Sequence, residues 1–184
     1  MGATGGSGTR PVRRVERDRD ERGRPANARP RDRLGRPLPR DADPSETIEE
    51  FEPDDPDRAL EIAVDLWAQH RFFEAHEVLE DVWNAAAEGD RLFWQGVIQV
   101  AVACCHHQRG NVAGCVALFR RAADKLAGYP DVYRGVDVEQ LRVFAEGAAD
   151  AVEEADEIFE IGYPDLPTMD GGPWFEEPAA EVVT

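Results

Sequence analysis

From Asp57 onward apolar residues recur three and four apart, and the punctuation between these runs predicts five helices. They cover roughly Asp57 to His70, Phe72 to Glu88, Asp90 to Arg109, Asn111 to Ala127 and Asp137 to Glu160. In the second, Phe72, Ala75, Leu79, Val82, Trp83 and Ala86 share one side at 100° per residue. The third is apolar almost all round, through Phe93, Trp94, Val97, Ile98, Val100, Ala101, Cys104 and Cys105, and therefore reads as the central helix. The last carries a stripe of Leu141, Phe144, Ala148, Ala151, Val152, Ala155 and Phe159. Gly110-Asn111 is a helix stop followed by an N-cap, which turns helices three and four into a tight antiparallel hairpin. Gln69-His70-Arg71 joins helices one and two with equally little linker, His70 serving as a C-terminal cap favoured by the helix dipole. No stretch alternates for long enough to make a useful strand.

The expected fold is therefore all-α, a single bundle of about five helices paired as antiparallel hairpins. The starts of helices two and four, Arg71 to Leu79 and Gly110 to Leu118, each place a small residue, Ala75 or Gly114, at a close helix contact. Their offset of 39 residues makes the pairing loosely tetratricopeptide-like, although that repeat has a period of roughly 34.

Polarity divides the chain further. Residues 1–46 form an Arg-rich leader with almost no large apolar residue, expected to be mostly disordered because burial cannot offset its ordering entropy. Residues 47–161 form the helical domain, and 162–184 a loose Pro- and Gly-rich tail whose Trp174 and Phe175 can pin onto the bundle. Residues 1–45 carry 12 arginines and 7 acids, net +5, against net −22 for the remainder. That contrast suggests a strap, Asn27 to Pro39, lying on the acidic bundle through Arg29, Arg31, Arg33 and Arg36, helped by Leu34, Pro37, Leu38 and Pro39.

An acidic domain repels nucleic acid and anionic lipid, so neither is an expected partner. The longest apolar run, Gly96 to Cys105, is too short to span a bilayer, and the first thirty residues hold no apolar signal core. Cys104, Cys105 and Cys115 are odd in number and lack metal-knuckle spacing, so they read as reduced core residues of a cytoplasmic protein.

Candidate chemistry is confined to helices two and three. His76 lies at the edge of the buried face of helix two, with Glu80 one turn above it and Glu77 further round; Glu74 and Asp81 point nearly the opposite way. On helix three, Arg91, Gln95, Gln99 and His106 form a row without a carboxylate, and His107 lies off it. Such a row suits a buried hydrogen-bonded network facing His76 and Glu80. On that reading Gln99→Leu and His106→Ala are costly and Glu74→Ala is not. A structural network competes with a divalent metal site built from His76, Glu80 and His106 with Glu77, and with metal-free acid and base catalysis by His76 and Glu80. The string H-E-x-x-E lacks the second His of a zinc protease and the paired E-x-x-H of di-iron bundles, so no cofactor is named by motif. The expected function is a binding or scaffold-like module with a protein or peptide partner; the alternative is a metal-dependent hydrolase at the same residues.

F-F-E-A-H-E-V-L-E-D-V-W (Phe72 to Trp83), R-x-F-x-Q-G-x-I-Q-x-A-V-A (Arg91 to Ala103) and H-x-x-x-G-N (His106 to Asn111) together make the stretch Asp57 to Leu126 resemble domain-of-unknown-function family 309. The segment N-A-R-P-R-D-R-L-G-R-P-L-P is similar to a leader of some members from high-GC organisms. The resemblance implies a small all-α domain without an assigned activity. Its characteristic positions fall on Glu74, His76, Glu77, Glu80, Trp83, Arg91, Gln95, Gln99, His106, Gly110 and Asn111.

Overall fold

A computed structural model describes residues 29–166 apart from 50, 52, 54, 156 and 165. Among them are five helices: α1 (Pro56–Ala68), α2 (Phe72–Ala85), α3 (Arg91–Gln108), α4 (Val112–Leu126) and α5 (Val138–Ala155). A 3-10 turn at Pro44–Glu46 precedes them, and a two-residue antiparallel hairpin, β1 (Val132–Tyr133) with β2 (Val136–Asp137), leads into α5. The all-α reading holds, and the hairpin is an addition that periodicity could not reveal. Two residues per strand are too few to alternate, and its turn is made by Arg134 and Gly135 at positive φ.

Local chemistry sets the helix ends. Asp55 caps α1 by accepting from the Arg58 amide at 2.8 Å, with Pro56 in the first turn. Past α1, His70 takes φ 57, its ring stacks on Phe72, and its carbonyl accepts from Gln108 Nε2 at 2.9 Å. The expected cap is thus a left-handed turn that also ties the α1–α2 corner to α3. Helices neighbouring in sequence pack against one another, placing α3 between α2 and α4. The core they enclose contains Trp67, Phe72, Phe93, Trp94, Phe119 and Leu141, all fully buried, each contributing about 1.5–3 kcal/mol by removal from water.

Two buried polar residues anchor the segments outside the helices. Asp90, 4% exposed, accepts from Tyr133 Oη at 2.6 Å and pairs with Arg134 at 2.7 Å, holding the hairpin on the start of α3. His107, 5% exposed, meets the Phe159 carbonyl through Nε2 at 2.8 Å and Tyr163 Oη through Nδ1 at 2.6 Å. Because a carbonyl can only accept, Nε2 carries the proton and Nδ1 accepts from the tyrosine. Trp67 Nε1 donates to the Pro164 carbonyl at 2.7 Å, and Leu166 is buried. Residues 163, 164 and 166, assigned by sequence to the loose tail, are therefore packed on the bundle, whereas Phe159, assigned to the last helix, lies beyond its end and is exposed. The expectations for residues 1–28 and for Trp174 and Phe175 lie outside the described residues.

Candidate binding groove

The residues around His76 come from three directions. Phe73, His76, Glu77 and Glu80 descend from α2, while Val102, Cys105 and Arg109 rise from one face of α3 at spacings of three and four. Arg31 closes the third side, and the enclosed space is a half-open cleft of about 240 Å³. The imidazole of His76 is fixed at both nitrogens, Nδ1 against the Phe73 carbonyl and Nε2 against Glu77 Oε1 at 3.1 Å. That contact holds the Glu77 carboxyl below its usual range, aided by Arg31. Partial burial pushes Glu80 the other way, and the charges of Glu77 and Asp81 add to the effect. Cys105 is no nucleophile: desolvation raises its thiol to about 12 although Arg109 is near.

Residues 29–39 lie across this cleft as a folded-back turn. Asp32 Oδ1 accepts from the amides of Leu34 and Arg36 at 3.0 and 2.7 Å, Arg31 donates to the Gly35 carbonyl at 2.7 Å, and Arg31 bridges to Pro37. The tip of the turn enters the groove. Gly35 is buried at φ 69, a Cβ on it would overlap both the Phe73 ring and the Arg109 guanidinium, and Arg109 Nε donates to the Leu34 carbonyl. Arg31 and Arg109 both lie over the Phe73 ring, at 5.8 and 5.7 Å from its centroid. The sequence suggested arginines reaching acids. Arg31 does act on Glu77, and the further contacts are a bundle arginine on a leader carbonyl and an aromatic ring beneath a glycine, while Arg33 and Arg36 are exposed.

The polar row expected to face His76 does not do so. Gln95 is exposed, and Gln99 is half-buried with an Oε1 that has no partner. Arg91 lies 5.4 Å over the Trp83 ring, at the far end of α2 from His76. His106 belongs to the α3–α4 corner, where its Nδ1 accepts from Asn111 Nδ2 at 2.6 Å while Asn111 Oδ1 caps α4 at the Gly114 amide. Any Cβ at position 114 would strike the His106 ring, so the glycine is required for space. The cleft borders α3 only at its C-terminal end, through Val102, Cys105 and Arg109, whereas Arg91, Gln95 and Gln99 lie on earlier turns. His76, Glu80 and His106 are consequently not brought together, and among the described residues no group of three or more His, Cys, Asp or Glu side chains is placed to hold a metal ion.

Glu74 needs a correction. The helix-two wheel sends it to solvent, yet it is 2% exposed, with Arg71 on its Oε1 at 2.6 Å. The wheel considers only helix against helix, and here Ile48, Glu49 and Phe51 cover that side of α2. Arg109 is the groove residue that sequence reasoning missed, while Glu74 lines a neighbouring cavity. The available signal was on α3, where Arg109 continues the face of Val102 and Cys105.

Both α2 and α3 fall inside residues 60–118, which match a family model described as a domain of unknown function, DUF309. That stretch of the chain is similar to DUF309. An uncharacterized protein of Aquifex aeolicus (strain VF5) is 28% identical over 81 residues, 44% of this chain and 24% of that protein. The uncharacterized protein YpuF of Bacillus subtilis (strain 168) is 39% identical over 64 residues, 34% of this chain and 37% of YpuF. The chain thus spans between a quarter and two fifths of the length of these relatives. The DUF309 match contains every groove residue contributed by α2 and α3, and ends before the strap residues Arg31 and Gly35 are reached on the N-terminal side.

The corner that holds His106, inside the matched stretch, has a measurable consequence. Partial burial, with Arg109 second, lowers the His106 pKa from the ordinary 6.5. The folded state then holds fewer protons than the unfolded one as pH falls through 6.5, so His106 contributes stability above that value and loses it below. Replacing His106 with Gln, which keeps a polar group but cannot titrate, should flatten the melting temperature between pH 7 and 5. An acid-side slope as steep in His106→Gln as in the wild type would refute this role.

Proposed function

We propose that this protein is a cytoplasmic binding module whose groove between α2 and the end of α3 takes a short turn of polypeptide. The observation that carries the reading is the seating of Leu34-Gly35: Arg109 on a main-chain carbonyl and a ring that only glycine can approach. Recognition of main chain and of a missing side chain is how a groove selects a backbone conformation. In this chain the leader occupies the groove in cis, and a partner protein with a like turn is its counterpart in trans. The buried, unpaired cysteines suit a reducing compartment. The alternative of a metal-dependent hydrolase needed His106 beside His76 and Glu80, and the geometry favours the binding reading because His106 is engaged at another corner.

The test uses full-length protein and a labelled peptide of residues 29–40. Wild type should bind it poorly, since a tethered segment competes at an effective concentration on the order of millimolar. A Gly35→Val protein, having lost its own strap, should bind the same peptide in anisotropy titrations, and a peptide carrying Gly35→Val should bind neither protein. Equal binding by both proteins, or by both peptides, would reduce the interaction to charge attraction and overturn the reading.

A further inference from the structure

On the other side of the Glu77 and Glu80 ridge, α2 borders a second cavity of about 350 Å³ whose far wall includes Ile48, Glu49 and Phe51. Five carboxylates line it: Glu49, Glu74, Glu77, Glu80 and Asp81. Two are compensated, Glu77 by His76 at 3.1 Å and Glu49 by Arg71 at 3.3 Å. Glu74 is compensated on one oxygen only: Oε1 meets Arg71, and Oε2 is buried without any donor. Neither Glu80 nor Asp81 has an ion pair among the described residues. A buried carboxylate oxygen lacking a donor is uncommon in folded proteins, since burial strips it of water and offers nothing in exchange. The remaining lining includes Ile48, Phe51 and Val78, an apolar strip beside the acids.

We infer that this cavity binds an alkyl cation, a primary ammonium or guanidinium carried on an aliphatic stem. The head sits among Glu80, Asp81 and Glu74, where each N–H finds a carboxylate oxygen, and the stem lies on Ile48, Phe51 and Val78. Charge-assisted hydrogen bonds at the head and burial of methylenes along the stem act together. A bare metal ion would use only half of this surface, and the carboxylates are not grouped to ligate one. The same chemistry has two sources, a free polyamine or a Lys or Arg side chain of a peptide.

Calorimetric titration of full-length protein with spermidine, and with a blocked peptide containing a single Arg, separates the two by affinity. At least one should bind saturably with one-to-one stoichiometry, weakening about tenfold for Asp81→Asn and for Glu80→Gln. Glu154→Gln, an exposed acid on α5, serves as a charge-matched control and should leave binding unchanged. A peptide with citrulline for Arg keeps the stem, loses the charge and should not bind. Amide shifts in the NMR spectrum at Ile48, Val78 and Asp81 should accompany saturation. The inference fails if Glu154→Gln weakens binding as much as Glu80→Gln, if citrulline binds as well as arginine, or if neither probe saturates.

Discussion

Asp90→Ala should cost the protein roughly 3 kcal/mol, the magnitude expected when one partner of a buried ion pair is removed and the other is left behind. Asp90 is almost fully buried and serves two donors at once, the Tyr133 hydroxyl and the Arg134 guanidinium. Its loss strands a cation whose side chain is only 20% exposed and whose backbone already sits at φ 47, with Nε lacking any partner. Asp90→Asn should cost less, because one amide oxygen can still accept from Tyr133. Urea denaturation should place the order of stability as wild type, Asp90→Asn, Asp90→Ala. A double change of Asp90 and Arg134 to apolar residues should recover part of the loss, since it removes the stranded charge. Equal midpoints for all variants would show that the hairpin is held by its apolar contacts alone.

Gly35→Val is the second large effect, and it acts on the strap rather than the bundle. A β-branched residue at φ 69 costs about 1–2 kcal/mol in backbone strain. Its side chain would also enter the Phe73 ring and the Arg109 guanidinium, which overpacking series put at about 1–3 kcal/mol. The strap has few contacts with which to meet that sum, so residues 29–39 should leave the groove while the helices persist. Trypsin cleavage after Arg33 should accelerate by more than about tenfold, equivalent to 1.4 kcal/mol. The helical signal in circular dichroism should hardly change. An unchanged cleavage rate would mean that position 35 does not govern docking.

The helices were legible because each buries an apolar stripe against a neighbour that the sequence also declares, and the Gly110-Asn111 corner was legible because its chemistry is local. The two-residue hairpin was not, since its position depends on Asp90, some forty residues earlier. Glu74 misled for a related reason: a wheel shows which side of α2 meets helices, and Ile48, Glu49 and Phe51 form a non-helical cover that no helical period announces. His76 and Glu80 line one cleft, without the partners expected for them. Gln95 and Arg109 lie within about 40° of one another at 100° per residue, so what separates them is height along α3: the cleft borders Val102, Cys105 and Arg109 at the end of the helix, and period alone could not say which turn of α3 lies level with His76.

The bond from Trp67 to Pro164 spans 97 residues, and those from His107 to Phe159 and Tyr163 span more than fifty. During synthesis from the N-terminus, α1 to α4 leave the ribosome well before residue 164 does. A nascent chain at that stage can pair α1 with α2, α2 with α3 and α3 with α4, yet the indole N–H of Trp67 and the ring of His107 still await their partners. Completion of the first helix's packing therefore depends on nearly the last described residues to be translated, and the early helices assemble before they are latched.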